Sequence, residues 1–153
     1  MTFTPAPKPD SAHSDLQEAV MVYWRAKSPG WIPVKEQDLG SRAMDKEIKR
    51  ADIFAMSKTY PPRFIICEVK VSRPDFLSDV KSEKYLVYME NCNLFYFATP
   101  YGLVIADDIP EWCGWLEQWP TGKGFKECRT GEENRQCKMT DELWHSFAKK
   151  LVK

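Results

Sequence analysis

The sequence predicts a single α/β domain in which one mixed β-sheet is flanked by helices and the chain closes with a C-terminal helix. Three observations support this fold class. The predicted elements follow the order helix, strands, helix, strands, helix, which is typical of a mixed sheet with helices packed on it. The 153 residues are 43% hydrophobic and 13% aromatic, so the chain can bury a sizeable core. The sequence contains no internal repeat that would indicate a solenoid.

The chain divides into a lead-in and one domain. Residues 1–13 are rich in proline, serine and threonine, so we expect a flexible lead-in, and residues 14–153 form the domain. No segment approaches the ~20 apolar residues of a membrane-spanning helix, and no secretory signal is evident. We therefore expect a cytoplasmic protein with no membrane partner. The five cysteines include no C-x-x-C pair, which argues against a zinc knuckle.

The first elements are a helix and a strand. Ser14 and Gln17 have the spacing of a capping box, which predicts a helix that begins at Ser14 and ends near residues 28–30. Residues 31–38 are predicted to form a short strand, and residues 39–49 a charged connection.

The middle of the chain predicts a hairpin followed by a helix. Residues 50–56 and 63–71 are apolar runs separated by a connection that contains two prolines, which predicts two paired strands. Ser72 is then a helix cap followed by an early-helix proline, and the apolar periodicity predicts one helix that continues to about Met89.

The last third predicts four short strands and a helix. Residues 94–98 and 103–106 are predicted strands, and residues 115–119 and 125–129 are predicted to form a hairpin around two glycines. A final helix is predicted from Thr140, because acidic residues fill its first turn and lysines its last.

The residues that indicate chemistry are Asp52, Glu68 and Lys70. Glu68 and Lys70 are two apart on a strand, so both project from the same face. Asp52 lies near Glu68 if the two strands form a hairpin, and the two carboxylates then match the oxygen ligands that Mg²⁺ prefers. A bound Mg²⁺ activates water for phosphodiester hydrolysis, and Lys70 can orient that water. The same residues are also compatible with an ion pair at a strand end.

Charge is unevenly distributed along the chain. The net charge is zero, but basic residues outnumber acidic ones in residues 42–84 and 123–153. Residues 85–122 contain no lysine or arginine. Two stretches can therefore offer positive charge to a nucleic acid. The two histidines, His13 in the lead-in and His145 in the last helix, indicate no nucleophilic pair.

Several dispersed motifs resemble one nuclease family. The sequence is similar to the MmcB-like branch of the PD-(D/E)XK nuclease superfamily over roughly residues 31–119. The matching residues are Arg50-Ala51-Asp52-Ile53, the run from Glu68 to Phe76, Asp79, Lys81, Tyr85 and Phe95-Tyr96-Phe97-Ala98. This resemblance implies a restriction-endonuclease-like fold, a divalent metal (Mg²⁺ or Mn²⁺) bound by Asp52 and Glu68, and Lys70 as the catalytic amine.

The sequence departs from the superfamily pattern at two points. Ala51 stands where the superfamily name has a proline. The superfamily usually adds a further acid from the first helix or strand, and both Glu36 and Glu18 are available. We expect Glu36 to be the third metal ligand, because its distance before residues 50–52 resembles the branch, whereas Glu18 lies on an amphipathic helix where solvent exposure is expected.

Position on the helix after the catalytic strand also indicates residues that are expected to contact nucleic acid. Lys81, Lys84 and Tyr85 follow the catalytic strand on the next helix and are expected to contact phosphates or the scissile region. Arg50 and Arg73 are assigned to the same surface. For Lys84 an ordinary exposed helix face is the favoured interpretation, and Asp75 and Asp79 are expected to cap the helix and pair with cations.

The sequence leaves three functions open. The first is a Mg²⁺- or Mn²⁺-dependent nuclease that hydrolyses DNA, with RNA as an alternative substrate, in DNA repair, DNA processing or phage and mobile-element metabolism. The second is a non-cleaving nucleic-acid-binding protein of the same fold. The third is a protein-interaction module that uses the fold, for which the neutral net charge is an argument. A homodimer or a larger nucleic-acid-processing complex is compatible with each.

Overall fold

The computed structural model describes residues 9–28, 30–39, 50–137 and 139–152. Within these residues the chain forms four α-helices, six strands and one short 3₁₀ helix at Ala106–Asp108. The helices are α1 (Pro9–Ala26), α2 (Arg73–Lys81), α3 (Tyr85–Glu90) and α4 (Asp141–Leu151). The strands are β1 (Trp31–Asp38), β2 (Arg50–Ser57), β3 (Phe64–Val69), β4 (Leu94–Thr99), β5 (Gly114–Gln118) and β6 (Phe125–Arg129).

The strands of the described residues form one mixed sheet in the order β1-β2-β3-β4-β5-β6. β2 pairs antiparallel with both β1 and β3, β4 pairs parallel with both β3 and β5, and β6 pairs antiparallel with β5. The predicted α/β class with a C-terminal helix is confirmed, as are the two predicted hairpins. The parallel pairing of β3 with β4 is made possible by α2 and α3, which carry the chain back across the sheet.

Helices cover both faces of this sheet. On one face, α1 packs through a stripe of four residues, Leu16, Val20, Met21 and Trp24. On the other face, α2, α3 and α4 contribute Phe76, Tyr88, Leu143 and Phe147. Alternation along the strands supplies both layers, since Ile53 and Cys67 face α1 while Phe54 and Ile66 face the other helices.

The first helix begins earlier than predicted. α1 starts at Pro9. The predicted lead-in of residues 1–13 is therefore wrong for residues 9–13, and the helix does not begin at Ser14 as predicted. Proline is tolerated in the first turn of a helix, where its missing N–H has no helical partner. Residues 1–8 lie outside the described residues, as do residues 40–49 of the predicted connection.

The predicted helix from Ser72 to Met89 is two helices. Ser72 caps α2 as expected, since its side chain accepts from the Asp75 amide. The chain then breaks between Lys81 and Tyr85, where Glu83 adopts a left-handed φ of 60°. That conformation ends a right-handed helix, although the apolar periodicity continues through α3.

The predicted strand at residues 103–106 is a loop. Arg73 donates to the Leu103 carbonyl at 3.3 Å, and the Ile105 amide donates to Asp108 at 2.9 Å. Side chains therefore satisfy backbone groups that a strand would pair with a neighbour. β5 occupies the position beside β4 instead.

β1 and β6 lie at the edges of the sheet formed by the described residues. Pro33 lies within β1, and the amine of Lys150 on α4 donates to the Lys35 carbonyl at 3.0 Å.

α4 begins as predicted, because the Thr140 hydroxyl accepts from the Leu143 amide at 3.1 Å. Across the described part of the chain, every helix is too short or too polar to cross a bilayer.

Candidate active site

Asp52 on β2 and Glu68 on β3 interlock at the open end of the hairpin. The Asp52 amide donates to Glu68 Oε1 at 3.0 Å, and the Val69 amide donates to Asp52 Oδ2 at 2.9 Å. The antiparallel register that pairs Ile53 with Cys67 places the two acids side by side one residue further on. The hairpin that the sequence predicts therefore brings the two predicted metal ligands into contact.

Burial shifts the protonation equilibrium of Glu68. Glu68 is 6% exposed, and burial together with the negative charge of Asp52 raises the pKa of Glu68 well above its ordinary value. The Asp52 amide and Lys70 oppose this shift without cancelling it. Two adjacent carboxylates in a buried place favour the uptake of a positive charge, either a proton or a metal cation.

Lys70 is buried at the end of the same strand, but its amine turns to α2. Its Nζ atom hydrogen-bonds Asp79 and lies 3.4 Å from Asp75. Burial lowers the pKa of Lys70, but the hydrogen bond and charge of Asp79 outweigh burial and raise the pKa above its usual value. The amine is therefore held charged, and Asp79 pairs with a cation as the sequence indicated.

Glu36, and not Glu18, lies beside the acid pair. The ladder pairs Lys35 with Ile53 and Gln37 with Ala51, so position 36 of β1 is opposite Asp52. Glu36 has a left-handed φ of 53°, which is rare for a residue other than glycine and which costs energy. Such strain is concentrated at functional sites in proteins.

Gln17 on α1 fixes Glu36 against Asp52. Its buried amide nitrogen donates to Glu36 Oε1 and to the Asp52 carbonyl, both at 2.9 Å. Glu18, the next residue, is 56% exposed and pairs with Lys35. The sequence assigned Gln17 only to a helix cap, so its part in the site was missed.

His13 is a second residue that the sequence analysis missed. Its Nε2 atom lies 3.4 Å from Asp52 Oδ2, and the side chain is 33% exposed. The hydrogen bond to Asp52 raises the pKa of His13 above its ordinary value, against the effect of burial. His13 and Gln17 are four residues apart, so on one helix they share a face. The signal was present in the spacing but depended on a helix that reaches back to Pro9.

The two arginines assigned to nucleic acid are each paired with an acid. Arg50 is exposed, and its Nε donates to Asp38 Oδ1 at 3.0 Å, which raises the pKa of Arg50. Arg73 is exposed and forms two bonds to Asp108, at 2.8 and 3.3 Å. A phosphate would have to compete with these carboxylates for either guanidinium.

Lys81, Lys84 and Tyr85 lie around the break between α2 and α3. Lys81 and Lys84 are exposed, and Lys84 Nζ is 3.8 Å from Asp79. Tyr85 is half-buried, with its ring 6.5 Å from that of Phe97. Lys81 and Lys84 are thus accessible to solvent, while Tyr85 also packs against the core.

The side chains of this cluster fit a divalent cation by chemistry. Among the described residues, no group of three or more histidine, cysteine, aspartate or glutamate side chains is gathered as a ready metal site. The donor types nevertheless suit a hard cation, because Asp52, Glu68 and the neighbouring Glu36 all offer carboxylate oxygens. Burial, and then the charge of Asp52, raise the pKa of Glu68, and a cation at this place would oppose that shift.

Comparison with known proteins identifies a related fold. No protein-family model matches the chain, and no curated protein matches it. Among solved structures, the chain is similar to the SPO1766 protein of unknown function from Silicibacter pomeroyi, with a TM-score of 0.64 and 22% identity. The match covers 92% of this chain and 83% of that one. The shared property is the fold.

Proposed function

We propose that the chain is a divalent-metal-dependent nuclease that hydrolyses phosphodiester bonds of DNA. The observation that carries this proposal is the contact between Asp52 and the buried Glu68, with the buried Lys70 immediately after the end of β3. Burial of Glu68 and Lys70 beside the partly buried Asp52 costs stability, and such a cost is typical of a functional site. The resemblance to the PD-(D/E)XK nucleases supplies the reaction class.

Within this proposal each acid has a defined task. Asp52 and Glu68 would hold Mg²⁺ or Mn²⁺, with Glu36 as a third carboxylate; Glu18 points to solvent and is the weaker candidate. A cation at this place lowers the pKa of a bound water and polarises a phosphoryl oxygen. Gln17 keeps Glu36 and the Asp52 backbone at a fixed spacing.

Lys70 supplies the positive charge of the proposed site. Because Asp79 holds the amine protonated, Lys70 can offset charge that develops on the phosphate but cannot act as a base in this state. Lys84, which shares Asp79 with Lys70, and Lys81 are exposed and would contact the flanking phosphates, with Tyr85, Arg50 and Arg73 as further candidates. The two arginines would first have to leave their acids.

The restriction-endonuclease-like fold belongs to the same proposal. It is supported by a mixed sheet with helices on both faces and by motifs that fall on β2, β3 and α2 in the expected order. Roles in DNA repair, DNA processing or mobile-element metabolism, a cytoplasmic location and a homodimer or larger complex are predictions that accompany it.

The test is a cleavage assay with paired lysine variants. Purified protein with Mg²⁺ or Mn²⁺ is incubated with single-stranded, double-stranded and branched DNA and with RNA. We expect metal-dependent cutting of at least one form, lost in Lys70→Ala and retained in Lys123→Ala, an exposed lysine in the β5–β6 turn. Circular dichroism checks that both variants fold. Cutting that survives in folded Lys70→Ala would contradict the assigned role.

A second candidate is a non-cleaving member of the same fold. Two ion pairs favour this candidate, because Lys70 is paired with Asp79 and Arg73 with Asp108. Each cation is thus neutralised by an acid of the protein and is not left available to a phosphate. A nucleic-acid-binding protein would show salt-sensitive DNA binding without hydrolysis. A protein-interaction module would bind neither DNA nor metal, and Asp52→Ala would then change only stability.

A further inference from the structure

We propose that His13 is a nitrogen ligand of the cation site at Asp52 and Glu68, and that it makes this site favour transition-metal ions over Mg²⁺. The inference rests on the proposed function, because it concerns the same cation. It adds a residue from α1 to a site otherwise built from three strands, and it gives the site a metal preference.

The position of His13 follows from the way α1 docks on the sheet. His13 Nε2 is 3.4 Å from Asp52 Oδ2, the carboxylate oxygen that also accepts from the Val69 amide. One helical turn later, Gln17 is bonded to Glu36 and to the Asp52 backbone. Two residues of one helix face therefore contact the same strand end, so the imidazole is held there by the packing of α1.

The chemistry of the imidazole sets the metal preference. Mg²⁺ is bound almost entirely by oxygen ligands and gains little from a nitrogen, whereas imidazole binds the divalent first-row transition metals well. With carboxylates alone the site would suit Mg²⁺, Ca²⁺ and Mn²⁺ alike. Addition of His13 shifts the balance towards Mn²⁺ and the metals that follow it.

The alternative role for His13 is a plain ion pair with Asp52. In that case the imidazole would stay on Asp52 and would never bind the metal directly. The two roles differ in a property that can be measured without substrate, namely whether a nitrogen nucleus is bonded to the cation.

The experiment uses the full chain and Mn²⁺ as the probe. Mn²⁺ and Mg²⁺ affinities are measured by calorimetry for the wild type, His13→Gln and the matched control His145→Gln, which changes an exposed histidine on α4. Pulsed electron paramagnetic resonance of the Mn²⁺ complex reports coupling to a bound imidazole nitrogen. We expect nitrogen coupling in the wild type and in His145→Gln, and none in His13→Gln.

The Mn²⁺ and Mg²⁺ affinities should also distinguish His13→Gln from the wild type. Loss of one ligand should weaken Mn²⁺ binding by about tenfold or more in His13→Gln, with a smaller change for Mg²⁺. His13 is partly exposed, so His13→Gln should fold, and a circular dichroism melt checks this.

The possible outcomes distinguish failure of the role proposed for His13 from failure of the proposed function. Mn²⁺ that binds in the wild type and is lost in Asp52→Asn, but with no nitrogen coupling and no change in His13→Gln, overturns the role of His13 and leaves the proposed nuclease intact. A wild type that binds neither cation overturns both. Nitrogen coupling that persists in His13→Gln likewise overturns the assignment.

Discussion

The two ends of the β2–β3 hairpin differ in what they bury. Near the connecting turn, the rings of Phe54 and Phe64 stack with their centroids 5.7 Å apart. The Phe54 ring also contacts Phe147 of α4 edge to face. At the open end, the same two strands bury Glu68 and enclose Asp52, with Lys70 just beyond. The first end stabilises the fold through apolar packing, whereas the burial of charged groups at the second end destabilises it. One strand pair thus separates the part that holds the domain together from the part proposed to act.

The largest effect is expected at the apolar end. Phe54→Ala should lower the free energy of unfolding by about 3–5 kcal/mol, because the ring is fully buried between two aromatic neighbours. Chemical denaturation measures the loss. Tyr101→Ala, an exposed aromatic, is the control and should stay within about 0.5 kcal/mol of the wild type. Equal losses in the two variants would contradict the placement of Phe54 in the core that stabilises the fold.

The charged end should show a smaller loss when the partner of Lys70 is removed. Asp79→Asn should destabilise the metal-free protein by about 1–3 kcal/mol, since it leaves a buried ammonium with weaker bonds. Asp75→Asn is the matched control; Asp75 is more exposed and lies further from the amine, so its loss should be smaller. Denaturation curves at low salt compare the two. A larger effect of Asp75→Asn would indicate that Asp75 is the true partner.

Glu68→Gln should raise the stability of the metal-free protein. The folded protein keeps a proton on Glu68 to a higher pH than the unfolded chain does, so wild-type stability falls as pH rises above the unfolded pKa of about 4.3 towards the raised folded pKa. Glutamine does not titrate and still accepts from the Asp52 amide. We expect a gain of about 1–2 kcal/mol at pH 7, comparable to relief of one unsatisfied buried group.

The pH profile checks the Glu68 prediction. Thermal melts are recorded in a chelating buffer from about pH 5 to about pH 8, above the ordinary glutamate pKa of about 4.3. The melting temperature of the wild type should fall as the pH rises, and that of Glu68→Gln should fall less steeply. Identical slopes would mean that Glu68 does not carry the proton. Added Mn²⁺ should stabilise the wild type and not the variant.

The smallest effect is expected at Glu18. Its pair with Lys35 is exposed, and Glu18→Gln should change stability by no more than about 0.5 kcal/mol. Mn²⁺ affinity, measured by calorimetry, should be unchanged in Glu18→Gln and weaker in Glu36→Gln. The reverse result would place the third carboxylate on α1 instead of β1.

Most of the fold could be predicted because local sequence patterns indicate where its elements begin and end. The apolar runs of β2 and β3 are bounded by turn residues, and α4 has a threonine cap with acids in its first turn, so each element carries its own start and stop. The parallel pairing of β3 with β4 follows once a helix separates them.

Two misses in the fold have different physical causes: side-chain contacts hold one segment as a loop, and a backbone conformation ends a helix early. Leu103–Val104–Ile105 has strand composition, but Arg73 and Asp108 bind its backbone and hold a loop. Glu83 stops α2 by a backbone conformation that glutamate rarely adopts and that no composition signals.

The candidate site was predicted in its strands and missed in its helix. Asp52 and Glu68 could be placed together because hairpin geometry fixes their distance, whereas the direction of the Lys70 amine depended on the acids of α2. His13 and Gln17 were missed because their role requires the packing of α1 on β1 and β2, which spacing alone does not reveal.

β1 lies at the edge of the sheet that the described residues form, and this position affects how copies of this chain can meet. An intruding strand needs a continuous row of free amides and carbonyls, and β1 interrupts that row. Pro33 has no amide proton, and Lys150 already occupies the Lys35 carbonyl two residues on. Fibre-like growth by strand addition is therefore blocked along this side, and a homodimer is expected to use a different surface.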